Sequence, residues 1–387
     1  MTLLITILLA PLALLAAFFA LEVAAGLFGA RDEGVRTSEA SAAIVIPAHD
    51  EAAVIGETLG KLHEALGPEM RILVVADNCA DSTALKAREA GAEVIERREP
   101  GRRGKGHALS FATRHLEAAP PEVVVVLDAD CAIDRDSLAV LVASAASGRP
   151  SQSINLLRPD RAASPLVQLS SFAFMLKNLV RQRGLQRLAG RVHLTGTGMA
   201  LPFALFRVSA DARSSIVEDL AIGLELAERG HAPRLVPGAT VWSGAAGEAG
   251  TLVQRRRWEG GFLATAARHG PRVMLRGLTR GDIRGVLAGL DLLLPPLALF
   301  ALLNAAALVL ASVLTVVFGA GWWPVATQLS LLAVAALAVF AAWLREGRRF
   351  VSLAVLARIP LYVLWKLPLY LGLARRGSPS EWLRTGR

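Results

Sequence analysis

The chain has 387 residues, enough for about two domains, and it is 53% hydrophobic and only 19% charged, which is too apolar for an ordinary soluble enzyme. Its net charge of +9 is concentrated in two stretches, residues 252–285 (eight Arg, two acids) and 345–387 (nine Arg or Lys, two acids). Since the basic residues flank apolar segments and do not cover a folded face, the charge argues against nucleic acid as a partner and predicts a cytoplasmic membrane face. The two cysteines, Cys79 and Cys131, form neither a disulfide framework nor a zinc pattern.

The chain begins with an apolar segment. Residues 2–29 contain one acid and no base, and roughly 20 apolar residues are enough to cross a bilayer. The segment lacks the basic start of a signal peptide, and its apolar part is longer than usual for one. We therefore predict a retained transmembrane helix over residues 1–30.

Residues 40–250 alternate short β-type runs with helical stretches. The strands are AAIVIPAHD (42–50), ILVVADNCADST (72–83), AEVIER (92–97) and VVVVLDAD (123–130). The last strand is continuously apolar, which indicates burial on both faces and favours a parallel sheet. The alternation predicts a doubly wound α/β domain, in which ligands bind beyond the carboxyl ends of the strands.

Acidic residues follow two of these strands. Asp128 and Asp130 are separated by one residue, so their side chains point to the same face and repel each other unless a cation lies near. A divalent metal, Mg²⁺ or Mn²⁺, commonly joins such carboxylates to a diphosphate. Asp77 follows the second strand. The alternative for an isolated pair is a surface loop with solvated acids.

Two further stretches carry suitable chemistry. The glycine-rich basic run GRRGKGHAL (101–109) suits phosphate contact through backbone amides and Lys105, although a basic turn has the same composition. Glu218 and Asp219 begin a predicted helix, where acids also serve simply to complement the helix dipole.

The remaining elements are membrane-related. We predict interfacial amphipathic helices over residues 251–285, two transmembrane helices over 286–344, and an interfacial or re-entrant segment with a basic tail over 350–387. Residues 350–374 are long enough to cross the bilayer, but they contain Arg358 and Lys366, and central basic residues are costly in lipid.

Together these motifs resemble the membrane-embedded family 2 glycosyltransferases, the group that includes cellulose, chitin and hyaluronan synthases. The opening loop IVIPAHDEA resembles that family's first loop, with His49 and Asp50 departing from its usual residues. The DAD sequence matches the family's DxD pair, and VED matches its TED-type element with Val217 in place of threonine. The stretch QRRRW (254–258) fits the Q-x-x-R-W motif in every named position.

The resemblance implies a GT-A-type, mostly parallel α/β sheet attached to an α-helical transmembrane region. It implies a hexosyltransferase that inverts the sugar's configuration, with Asp219 as catalytic base and a divalent metal on Asp130 and Asp128. The donor, a nucleotide sugar with UDP favoured by family habit, would contact Pro47, Glu51, Asp77, Lys105, Asp128, Gln254 and Arg257. A lipid or glycan acceptor would contact Trp258, Glu218, Thr197 and Gly198. The expected location is a bacterial-type inner membrane, with several spans and a cytoplasmic catalytic domain.

Several alternatives stay open. Processive export usually needs more spans than three, so the enzyme either works as a homo-oligomer or adds a single sugar. A rival class is a non-catalytic membrane scaffold with a transferase-like domain, which loss of Asp77, Asp130, Asp219 or Trp258 would favour. A transporter would need charged residues inside the spans, where Asp291 is nearly the only acid.

Overall fold

A computed structural model of the protein describes residues 1–29, 38–209, 218–244 and 248–377. Within these residues, eight strands form one sheet. The strands are β1 (Ala42–Ala48), β2 (Met70–Asp77), β3 (Glu93–Arg97), β4 (Val123–Val126), β5 (Cys131–Ile133), β6 (Ser151–Leu157), β7 (Met199–Pro202) and β8 (Arg234–Ser243).

The order across the sheet is β3-β2-β1-β4-β7-β6-β8-β5. The first four strands are parallel, and β6 is parallel to β8. The pairs β4–β7, β6–β7 and β5–β8 are antiparallel. The predicted α/β fold is confirmed, with a mixed sheet whose parallel half contains all four strands expected from the sequence.

Helices cover both faces of the sheet because the central strands are apolar on both sides. Val123 and Val125 pack with Leu138 on one face, while Val124 and Val126 pack on the other. The helices of this domain are α2 (Ile55–Ala65), α3 (Thr83–Glu89), α4 (Lys105–Leu116), α5 (Arg135–Ala146), α6 (Pro165–Met175), α7 (Gln182–Ala189), α8 (Phe203–Val208) and α9 (Glu218–Glu228). A π-helical stretch, Leu176–Arg181, joins α6 to α7 without a break.

The other helices form the membrane-related part. They are α1 (Thr2–Leu27), α10 (Glu248–Arg280), α11 (Ile283–Leu293), α12 (Leu297–Phe318), α13 (Trp323–Ala342), α14 (Leu353–Leu356), α15 (Ile359–Trp365) and α16 (Leu367–Arg376). Among the described residues, three helices are long and apolar enough to cross a membrane: Thr2–Leu27, Leu297–Phe318 and Trp323–Gly347.

The boundaries differ from the predicted ones at two places. The apolar run that starts at residue 286 is divided between α11 and α12, because Pro295 and Pro296 cannot donate the backbone hydrogen bonds that a continuous helix needs. Residues 350–374 form three short helices, and Pro360 and Pro368 each stand in the first turn of one of them. None of the three is long enough to cross a bilayer by itself.

Helix α1 is packed tightly against the α/β domain. A Cβ atom added at Gly26 would lie 1.9 Å from the Val180 carbonyl oxygen, and one added at Gly184 would lie 2.0 Å from the Glu22 carbonyl oxygen. Glycine at these two positions therefore allows the two backbones to touch. Beside this contact, the Arg181 guanidinium donates to Glu22 at 2.6 Å from its Nε.

Candidate active site

A large cavity, with a volume of about 430 Å³, lies at the carboxyl ends of β1, β2 and β4. Almost all the residues predicted to form a site line it: Pro47, Glu51, Asp77, Lys105, Asp128, Asp130, Thr197, Glu218, Asp219, Gln254, Arg257 and Trp258. Gly198 is different, because it is buried in the wall behind Thr197 and its amide donates to the Val126 carbonyl at 2.8 Å. The Gly198 amide therefore supports strand pairing, and its role on the acceptor side stays a prediction.

The DAD sequence (128–130) follows β4 after one residue, Leu127. The Asp128 amide donates to the Thr197 hydroxyl at 3.1 Å, and the Asp128 carboxylate is ion-paired with the Lys105 ammonium. Ligand atoms of Asp128, Asp130 and Cys131 lie within 4.8 Å of one another. Burial and the two nearby carboxylates raise the pKa of the Cys131 thiol well above its usual value, so the thiol stays protonated and is a poor ligand. The two carboxylates, which are hard oxygen donors, fit Mg²⁺ or Mn²⁺.

Lys105 is the first residue of α4, and its ammonium contacts both the loop after β4 and the loop before β7. Besides its ion pair with Asp128, the ammonium donates to the Gly196 carbonyl at 2.6 Å. Burial lowers the pKa of Lys105, but the carboxylates of Asp128 and Glu218 outweigh burial and raise it overall. The lysine therefore keeps its charge beside the acids.

Asp77 ends β2, and its carboxylate is engaged from the neighbouring strand. The guanidinium of Arg97, in β3, donates to it at 2.6 Å, and both side chains are buried. The His49 ring is hydrogen-bonded to the Asp77 carbonyl at 2.6 Å, and the Glu51 amide donates to the Thr83 hydroxyl at 2.8 Å. Arg97 was not among the predicted site residues. In the sequence it is marked only as a basic residue at the carboxyl end of a predicted strand.

Glu218 and Asp219 stand at the first described positions of α9, and Val217 of the VED match lies outside the described residues. The Asp219 carboxylate is next to Gly196, since a Cβ atom added there would lie 3.1 Å from its Oδ2. Burial, followed by repulsion from Asp219, raises the pKa of Glu218 to about 7. Burial also raises the pKa of Asp219. Carboxylates with raised pKa values are suited to accept a proton near neutral pH.

Helix α10 provides the aromatic wall of the cavity. The Trp258 ring lies against Phe174, with the centroids 5.8 Å apart. Arg255 places its guanidinium 5.7 Å from the centroids of both rings and donates to the Ser170 carbonyl at 2.8 Å. Arg257 faces the cavity, and burial lowers its pKa although three carboxylates oppose that shift.

The cavity extends further toward the membrane-related helices than the sequence suggested. Additional lining residues come from the π-helical stretch, from the loop before β7, from α10, from the start of α12, and from α15 with the residue that follows it. They include Lys177, Arg181, His193, Phe262, Leu297, Tyr362 and Lys366. The Lys366 ammonium is ion-paired with Glu259 of α10, and the Tyr370 hydroxyl donates to the same carboxylate at 2.7 Å. The sequence marked residues 350–374 only by the unusual basic residues within an apolar run.

Comparisons with known proteins agree with this geometry. The family model described as "Glycosyltransferase like family 2" matches residues 40–261. No curated protein sequence matches the chain. The solved mannosyltransferase PcManGT from Pyrobaculum calidifontis, in complex with GDP-Man and Mn2+, is 20% identical, with 97% of this chain and 95% of that one covered and a TM-score of 0.55. Glucosyl-3-phosphoglycerate synthase from Mycobacterium tuberculosis is 20% identical over 56% of this chain and 81% of its own, with a TM-score of 0.36. At this identity, the full-length likeness to the first protein shows a shared fold.

Proposed function

The chain belongs to glycosyltransferase-like family 2, and from this membership we propose that it is an inverting hexosyltransferase working at a membrane. It moves a sugar from a nucleotide-sugar donor to a lipid-linked or polysaccharide acceptor. One observation carries the proposal: carboxylates from two separate chain segments, Asp128 with Asp130 and Asp219 with Glu218, line one cavity together with Trp258.

The donor occupies the sheet end of this cavity. Pro47, Glu51 and Asp77 surround the nucleobase, and the Arg97 guanidinium holds the Asp77 carboxylate in place. Lys105 and Arg257 provide positive charge for the diphosphate, with Gln254 one helical turn from Arg257 on the same face. UDP is the nucleotide we propose.

Asp130 and Asp128 hold the divalent metal in this proposal, Mg²⁺ or Mn²⁺. When bound, the metal supplies positive charge that stabilises the departing nucleoside diphosphate. Lys105 is ion-paired with Asp128 and holds that carboxylate at the edge of the cavity.

Asp219 is the catalytic base. It takes the proton of the acceptor hydroxyl as that oxygen forms a bond to the anomeric carbon and the bond to the diphosphate breaks. Its burial and raised pKa make the carboxylate a stronger base than a solvated aspartate. A single displacement inverts the anomeric configuration, so an α-linked donor yields a β-linked product. Trp258, Glu218 and Thr197 form the acceptor side of the cavity.

The membrane placement follows from the three apolar helices and from the basic residues beside them. Residues 252–285 and 345–387 hold 17 Arg or Lys against four acids, an excess of basic residues that supports a cytoplasmic position for this side. The proposed location is a bacterial-type inner membrane with several spans, and α10 and residues 350–377 lie at its surface.

The test is release of nucleoside diphosphate by the full-length protein in detergent. UDP- and GDP-linked sugars are offered as a panel, with a total membrane lipid extract as acceptor. We expect release with at least one donor, complete loss with a chelator, and recovery with Mn²⁺ or Mg²⁺. Turnover that is unaffected by the chelator contradicts the role of Asp128 and Asp130, and no release from any donor favours the scaffold alternative.

A further inference from the structure

The loop that precedes β7, residues 193–198 (HLTGTG), contacts both acidic groups of the candidate site. The Gly196 carbonyl accepts from the Lys105 ammonium at 2.6 Å, and Lys105 is ion-paired with Asp128. The Thr197 hydroxyl accepts from the Asp128 amide at 3.1 Å. A Cβ atom added at Gly196 would lie 3.1 Å from the Asp219 Oδ2 atom. The loop therefore lies between the DAD sequence and Asp219, and its position affects both.

This loop has little stiffness of its own. Gly196 and Gly198 have φ angles of 82° and 63°, in the left-handed region that favours glycine. Because glycine loses more conformational freedom on folding than other residues, a loop with two glycines needs bonds from outside to keep one conformation. At the start of the loop, the Gln182 side chain provides them, since it accepts from the His193 amide and donates to the His193 carbonyl, both at 3.0 Å.

Gln152 of β6 holds the rest of the loop. Its Nε2 atom donates to the Thr197 carbonyl at 2.9 Å and to the Gly198 carbonyl at 3.2 Å. Its Oε1 atom accepts from the Thr195 amide at 2.9 Å. One side chain thus fixes the backbone on both sides of Gly196, the residue that contacts Lys105.

Gln152 occupies a position where an apolar residue is expected. Ile154 and Leu156, which follow at alternate positions of β6, pack in an apolar cluster with Phe172 and Met175. Gln152 is only 1% exposed, and burying an amide is unfavourable unless its hydrogen bonds are made. The loop provides the partners for both ends of this amide. A polar residue in this apolar setting is therefore explained by what it holds.

We propose that Gln152 is a positioning residue for sugar transfer. It lies outside the lining of the cavity and acts through the loop. By fixing residues 195–198, it keeps the Gly196 carbonyl on Lys105 and the Thr197 hydroxyl on the Asp128 amide, and so sets the DAD sequence relative to Asp219. This inference rests on the proposed function, whose reaction the loop serves.

The experiment replaces Gln152 by a residue of similar volume that cannot form these bonds. Gln152→Met should lower kcat by about 10- to 100-fold, the usual cost of losing a group that orients others in a site. Nucleotide affinity should change little, because Pro47, Glu51 and Asp77 lie at the ends of other strands. Nucleoside diphosphate release and equilibrium nucleotide binding by the full-length protein measure the two quantities.

Ser151→Ala is the matched control for a purely structural role. Ser151 precedes Gln152 on β6 and is fully buried, but its hydroxyl is hydrogen-bonded to that of Ser144 in α5 at 2.7 Å, away from the loop. Thermal unfolding should show a loss of stability in both variants, whereas kcat per folded molecule should fall only in Gln152→Met. An unchanged kcat in Gln152→Met, or an equal loss in Ser151→Ala, would overturn the proposal.

A second variant keeps the test independent of whether Gln152→Met folds. Gln152→Glu retains the acceptor for the Thr195 amide, but its ionised carboxylate has no donor for the two carbonyls, so its kcat should fall as well. Wild-type kcat in Gln152→Glu would show that donation to the loop is unimportant. Hydrogen exchange provides a readout other than activity: amides of residues 193–198 should exchange faster in either variant, and those of β1 and β2 should not.

A double-mutant cycle tests whether Gln152 acts through the loop. Thr197→Val removes the hydroxyl that accepts from the Asp128 amide. If both residues act through one loop, Gln152→Met with Thr197→Val should lose little more kcat than the more severe single variant. Losses that simply multiply would show independent action and contradict the proposal.

Failure of this inference is distinguishable from failure of the proposed function. Normal turnover by Gln152→Met, in a preparation where the wild type releases nucleoside diphosphate, overturns the inference alone. No release by the wild type from any donor, even with total lipid extract, overturns both.

Discussion

Two groups of buried charges in this protein have opposite arrangements. In the helix-docking cluster, Arg181 binds Glu22 of α1 at 2.6 Å and Asp291 of α11 at 2.5 Å, and His193 binds the second oxygen of Asp291 at 2.5 Å. The acids of this cluster are therefore in direct contact with bases. In the active-site cluster of Lys105, Asp128, Glu218 and Asp219, the lysine is bound to one carboxylate, while Glu218 and Asp219 are sequence neighbours that repel each other.

The pKa values of Asp291 and Glu218 differ as these two arrangements of charge would predict. Burial would raise the pKa of Asp291, but Arg181 and His193 hold it far below its usual value. Glu218 is similarly buried, and without such contacts its pKa rises to about 7. Paired charges keep one protonation state and hold helices together, whereas acids crowded beside each other can accept protons near neutral pH. The comparison separates a structural use of buried charge from a chemical one.

The largest effect should come from removing Asp219, the proposed base of the active-site cluster. Asp219→Asn should lower kcat by about 10²–10⁴-fold, because the acceptor hydroxyl then loses its proton acceptor. Nucleotide affinity should change little, since no donor contact is removed. Both are measured by nucleoside diphosphate release and by equilibrium binding of the nucleotide.

The matched control is Glu225→Gln, an acid on the same helix α9 that is paired with Arg229 instead of facing the cavity. It should retain wild-type turnover. An equal loss of nucleotide affinity in Asp219→Asn would reassign Asp219 to the donor side and weaken the contrast between the clusters.

Breaking the helix-docking cluster should affect stability first. Arg181→Met leaves Glu22 and Asp291 buried without their guanidinium, and such losses cost about 3–5 kcal/mol of the free energy of unfolding. Thermal unfolding in detergent measures the change. Arg183→Met is the control, because the Arg183–Glu346 pair is more exposed and its loss should cost less. Equal destabilisation by the two variants would show that burial of the cluster has no special importance.

A smaller effect should appear in the pH dependence of stability. The folded pKa of Glu218, about 7, lies above its ordinary value of 4.5, so the protonated acid is the form that the fold favours. This preference stabilises the folded protein fully at pH values below the pKa that Glu218 has in the unfolded chain. The stabilisation is lost as the pH rises through the pKa that Glu218 has in the folded protein. Glu218→Gln, which is neutral throughout, should therefore lose less stability than the wild type between pH ~5 and ~8.

Unfolding midpoints at the two pH values measure this difference. The unfolding midpoint of Glu225→Gln should depend on pH in the same way as that of the wild type. A Glu218→Gln variant with the full wild-type pH dependence would indicate that other groups account for it.

Much of the proposed donor side was predictable from the amino-acid sequence. The polar residues after β1, β2 and β4 follow apolar strands, and parallel strands bring their carboxyl ends to one edge. The motif TGTGM does not distinguish its two glycines, because Gly196 lines the cavity whereas the Gly198 amide donates to the Val126 carbonyl and supports strand pairing. Arg97 shows another limit, since its ion pair with Asp77 depends on which strand lies beside β2.

The amino-acid sequence by itself determined the alternation of strands and helices, the apolar spans and the positions of Asp77, Asp128, Asp130 and Asp219 at element ends, because hydrophobic periodicity and length are local properties. Only the tertiary structure decided that Lys177 and Tyr362 share a cavity with these acids and that Arg181 joins α1 to α11. Those residues are far apart along the chain. Their meeting depends on how helices pack, and packing is a property of the whole fold rather than of any segment.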